Sequence, residues 1–61
     1  MHTRQKAFQE LQRQLRHARR REQDVRDEAA RKQAPPDFLA LNHWTGRQVQ
    51  LENAIAWEQS R

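Results

Sequence analysis

Few residues in this chain could do chemistry, and their spacing narrows what that chemistry could be. His2, His17 and His43 are the strongest metal-ligand types present. Two of them on one helix face would need an H-x-x-x-H or Glu-x-x-His spacing. Neither occurs, so exposed or stacking imidazoles are expected, and no metal. Asp24, Asp27 and Glu28 stand close together, yet on an exposed, salt-paired helix they would lack the desolvation that tunes a catalytic carboxylate. There is no cysteine, no tyrosine, no G-x-S-x-G and no phosphate-cradling glycine loop. The expectation is a protein that is not an enzyme, with no cofactor and no small-molecule substrate.

The remaining candidates are cations. The stretch "RQLRHARRRE", residues 13–22, holds Arg13, Arg16, Arg19, Arg20 and Arg21 with no acid between Arg13 and Arg21. Guanidinium forks fit phosphates and carboxylates alike, which leaves two uses. "ARRREQ", residues 18–23, resembles the arginine-rich RNA-binding helices of phage antitermination peptides. That resemblance implies a nucleic-acid-binding regulator with Arg13, Arg16, Arg19, Arg20 and Arg21 on phosphates. Against it, no aromatic interleaves the arginines, no helix-turn-helix spacing is visible, and Asp24, Asp27 and Glu28 follow directly. The other use is to steer and fix an acidic surface, such as that of a protein which itself handles nucleic acid.

Where those arginines point depends on the element that carries them. From Thr3 to Gln33 there is neither Pro nor Gly, and the filler is Arg, Gln, Glu, Ala and Leu. One long helix over about 3–33 is expected, capped by Thr3 and stopped by "APPD" at 34–37. Alternating steps of three and four select Phe8, Leu11, Leu15, Ala18, Glu22, Val25, Ala29 and Lys32 as a heptad seam. Lys6, Arg13, Arg16 and Arg20 then face away from the seam, with Arg19, Arg21 and Arg26 on its flanks. Behind the arginine run, Glu22 precedes Arg26, Asp27 precedes Arg31 and Glu28 precedes Lys32, each by four residues in the favourable order.

Beyond the prolines, "DFLALNHW" fits a short helical turn, about 38–43, in an apolar elbow where Phe38, Leu39 and Leu41 are expected to pack locally. "TGRQ" at 45–48 matches a capping box, so a second helix is expected over about 46–60, with residues 51, 54, 55 and 58 on one face. The architecture is an all-α helical hairpin with a return arm half the length of the first. Folded straight back, the short arm would leave Phe8, Leu11 and Leu15 uncovered, and a second copy or a partner would cover them. The alternative is that Ile55 and Trp57 reach down to Leu11 and Leu15 within one chain. Trp44 is expected to close the elbow.

Composition sets the frame. A single domain, 1–61, sits near the lower size limit for folding alone, and 33% charged residues with a mean hydropathy of −1.36 suit exposed helices. The net charge of +4 favours polyanions weakly. No apolar run has signal-peptide or membrane-span length, so no membrane contact and a cytoplasmic location are expected. The functional expectation is a small basic protein-binding module, dimeric or in a complex, of the size and style of phage and plasmid accessory or inhibitor proteins. Phe8, Leu11, Leu15 and Trp57 would anchor the partner, and Arg13, Arg16, Arg19 and Arg20 would steer it. A nucleic-acid-binding regulator and a structural assembly component are the alternatives.

Overall fold

The computed structural model describes residues 2–60, with side chains from Gln5 to Ser60. Two helices, α1 (His2–Lys32) and α2 (Phe38–Ser60), pack against each other as a hairpin. The hairpin is long and narrow, 49 × 15 × 12 Å. Among the described residues, no helix is long and apolar enough to cross a membrane.

α1 follows its sequence closely. It begins at His2, which places Thr3 inside the helix; the Thr3 side chain, and with it the expected cap bond, lies outside the described ones. Its C-terminus closes in a Schellman motif. The Gln33 amide donates to the Ala30 carbonyl at 3.2 Å and the Ala34 amide to the Ala29 carbonyl at 3.0 Å. Gln33 takes the left-handed conformation, φ 51°, at a position where glycine is the usual residue. Arg31 and Lys32 in the last turn complement the negative end of the helix dipole, and Pro35–Pro36 prevent continuation.

α2 corrects two expectations. It starts at Phe38 and runs unbroken to Ser60, so the short turn over 38–43 and the second helix over 46–60 are one element. The reason is Asp37. Its Oδ1 accepts the amides of Leu39 at 3.1 Å and Ala40 at 3.2 Å, and its carbonyl accepts the first intrahelical bond, from Leu41 at 3.0 Å. With that cap in place the chain passes helically through Gly46, which carries no positive φ. Thr45 and Gln48 are therefore not a capping box. The same three-residue spacing puts both side chains on one helix face, where they reach Glu22 of α1.

An earlier start makes α2 long enough to change what is covered. At about 1.5 Å per residue it spans roughly 34 Å against roughly 46 Å for α1. Its seam runs Leu41, Trp44, Gln48, Leu51, Ile55 and Glu58, all buried or half-buried. Leu15, Ala18 and Leu51 form the buried core, with Leu11, Trp44 and Ile55 packed against it. The expectation that Leu11 and Leu15 stand uncovered is thus corrected, and Phe8 is half-buried. Ile55 does reach the core; Trp57, 59% exposed, does not. Phe38 and Leu39 do not pack into the elbow either, because the Asp37 cap turns them outward and gives the seam to Leu41 and Trp44.

Candidate functional site

The seam directs the polar groups as well. Half-buried Glu22 stands where an apolar residue would continue the α1 stripe, and α2 satisfies it. Its carboxylate accepts Gln48 Nε2 at 2.8 Å and Thr45 Oγ1 at 3.3 Å, and pairs with Arg26 at 3.0 Å. The Gln48 hydrogen bond is the main reason its pKa lies below the ordinary 4.5, with the Arg26 charge adding to it against the opposing effect of burial. Further polar ties cross the interface: Arg47 donates to Gln14 Oε1 at 2.8 Å, and Arg19 faces Glu52 at 3.7 Å.

Trp44 sits beside the core against two imidazoles and one guanidinium. His17 and His43 meet it edge-on, at centroid distances of 5.7 and 4.8 Å, and the Arg21 guanidinium lies 5.8 Å from its ring centroid. That arrangement is cation–π and edge-to-face packing on a half-buried indole. His17 and His43 are thereby placed as stacking partners, and among the described residues no group of three His, Cys, Asp or Glu could hold a metal ion.

The arginine run is outward-facing and mostly paired. Arg13 is held by Glu10 through Nε at 2.9 Å, and that contact, together with Gln14, draws the Glu10 pKa down to about 2. Arg20 and Arg21 share Asp24 at 3.4 and 3.7 Å, and Arg19 reaches Glu52. Among the described residues, Arg16 has no ion-pair partner. These pairs are exposed and individually weak, so they lower the local excess of charge without removing it. Of the three expected pairs behind the run, Glu22–Arg26 and Glu28–Lys32 form, at 3.0 and 2.9 Å. Asp27 instead accepts Gln23 Nε2 at 2.9 Å. Glu10 escaped the sequence reading because it lies just before the run, at the i,i+3 spacing from Arg13.

The other outward surface belongs to α2, and it carries a different chemistry. Phe38, Leu39, Val49 and Trp57 are exposed at 63, 84, 52 and 59%. Leu39, Asn42, Gly46, Val49, Asn53 and Ala56 repeat in steps of three and four, all are exposed, and none is charged. Phe38 and Trp57 flank that stripe near its two ends. Only Trp57 of this surface was singled out from sequence as a partner anchor. The signal for Leu39 and Val49 was present in the spacing, but the misplaced helix start at Thr45 broke the stripe in two. At the elbow, a concavity of about 340 Å³ is lined by Val25, Ala29, Ala34, Pro35, Ala40 and the stems of charged neighbours. Compared with protein-family models, curated proteins and solved structures, the chain matches none.

Proposed function

We propose that the chain is a non-enzymatic protein-binding hairpin, an accessory or inhibitory module that docks through the outward face of α2. One contrast supports this most. The apolar stripe of α1 is turned inward, whereas α2 packs one side on the core and on the other presents an uncharged stripe with Phe38, Leu39, Val49 and Trp57 in water. A helix of that kind is stable when both faces are covered. The lack of charge along the stripe, in a chain with 33% charged residues, supports an uncharged partner surface that offers polar groups to Asn42 and Asn53. Trp57 and Phe38 are the anchor types that dominate such contacts.

The arginine face is a second, separate surface. Arg13, Arg16 and Arg20 point away from α2, so they draw polyanions or acidic groups to the opposite side of the hairpin and not onto the α2 stripe. Arg16, with no ion-pair partner among the described residues, is the position most available for a phosphate as well, which keeps nucleic acid as the second reading.

The test is a photo-activated cross-linker placed either at Val49 or at Arg16 in the native cells. Protein adducts from Val49, with nucleic acid absent from Arg16, are the expected outcome. Nucleic-acid adducts from Arg16 with none of any kind from Val49 would overturn the proposal in favour of the second reading.

A further inference from the structure

We infer that the occupant of the outward face of α2 is a second copy of the same chain, packed antiparallel, α2 on α2, about a two-fold axis between residues 47 and 48; this rests on the docking reading above. The stripe Leu39, Asn42, Gly46, Val49, Asn53, Ala56 is a heptad seam in its own right, on the side of α2 opposite Leu41, Trp44, Gln48, Leu51, Ile55 and Glu58. Turned end for end about that axis, it matches itself. Leu39 meets Ala56 of the other copy, Asn42 meets Asn53, and Gly46 meets Val49.

Each pairing has a physical reason. Asparagine at a seam position is satisfied only when an opposing polar group is level with it, so Asn42 and Asn53 together select one register among the possible heptad shifts. Gly46 weakens the helix relative to alanine, and nothing in its own hairpin needs the room, since a Cβ added there meets no atom within 4 Å. The room is on the outside, where the Val49 side chain of an antiparallel copy fills it. A parallel pair would set Gly46 against Gly46 and leave a gap. Antiparallel dipoles also favour this arrangement. Glu52, at the edge of the seam, is already held by Arg19 and brings no unpaired charge to it.

Size points the same way. A chain whose buried core is Leu15, Ala18 and Leu51, with no disulfide, lacks the burial that stabilises larger domains. An isologous contact along α2 supplies that burial, and it leaves the Arg16 side of both hairpins outside, facing away from the interface.

The chain has no cysteine, so cross-links report cleanly. Asn42→Cys and Asn53→Cys chains are prepared separately, mixed and oxidised, and the mass of the unmodified chain and of Val49→Glu is measured by sedimentation equilibrium. The expected results are a mass twice the 7.4 kDa chain, a return to a single chain in Val49→Glu with helicity kept, and disulfide dimers from the mixture but from neither variant alone. Two copies of position 42 would lie about 16 Å apart along the axis, beyond disulfide reach. A monomer at every concentration, or each variant cross-linking to itself, overturns the inference. A monomer whose Val49 cross-linker still captures a different polypeptide overturns the second copy and leaves the docking face standing; no capture at all overturns both.

Discussion

Glu22 of α1 accepts the side-chain amide of Gln48 of α2 at 2.8 Å, in the seam beside the core residues Ala18 and Leu51. One carboxylate therefore ties the helices together where the apolar stripe of α1 is interrupted. Hydrogen bonds to a charged group contribute about 1.5–3 kcal/mol when buried, and Glu22 is partly open to water, so Gln48→Ala should lower stability by about 1 kcal/mol in urea unfolding.

The same contact sets a pH dependence. The pKa of Glu22 is depressed in the folded chain, so its contribution is fully present above the unfolded value near 4.5 and is lost as pH falls through the lower folded value. Glu10 and Glu28 shift in the same direction through Arg13 and Lys32. Unfolding midpoints should hold steady from neutral pH to about 4.5 and fall below it, and Glu22→Gln should flatten part of that fall. An unchanged profile in Glu22→Gln would show that the carboxylate does not supply it.

Gln33 holds a left-handed conformation at the end of α1, which costs a residue with a side chain about 1 kcal/mol relative to glycine. Gln33→Gly should raise stability by roughly that amount, because the Schellman bonds of Gln33 and Ala34 use only the backbone. A loss of stability would mean that the elbow is held by the Gln33 side chain.

The core is thin enough for one truncation to matter. A chain of this length holds only about 3–9 kcal/mol of folding stability, and emptying a buried leucine site costs about 2–5 kcal/mol. Leu51→Ala or Leu15→Ala should therefore bring the hairpin close to unfolding by circular dichroism, whereas Leu39→Ala, at an 84% exposed residue, should leave its helicity unchanged.

How much of this was legible in the sequence differs between the two arms. The α1 seam from Phe8 to Ala29 was readable because no Pro or Gly interrupts its period, and each of its members is buried or half-buried. The α2 seam was half read. Residues 51, 54, 55 and 58 share the inward face as expected, but Thr45 and Gln48 carry a spacing that serves equally as a cap or as a cross-helix pair. Only the position of Glu22 on the other helix decides between the two, and that is tertiary information. The exposure of Phe38 and Leu39 was hidden for the same reason, since it depends on Asp37 capping the helix before them. The weakening of the arginine face by Glu10, Asp24 and Glu52 was legible for Asp24; Glu52 became visible only once the hairpin closed.

The exposed ion pairs around Arg13, Arg19, Arg20 and Arg21 leave a modest positive excess, which binds polyanions through screened charge alone. Oligonucleotide affinity at low salt should disappear at physiological salt, and Arg16→Ala should weaken it further without changing helicity. Binding that survives physiological salt would return the arginine run to nucleic acid.

The inferred contact sets the uncharged side of α2, not the arginine side of α1, against a second copy of this chain. Backbone amide NMR shifts followed on dilution of the pure chain test it most directly. Concentration-dependent shifts gathered on Leu39, Asn42, Gly46, Val49, Asn53 and Ala56, with Arg13 to Arg21 unmoved, are the expected result. Shifts gathered on the arginine run, or none at any concentration, would contradict it.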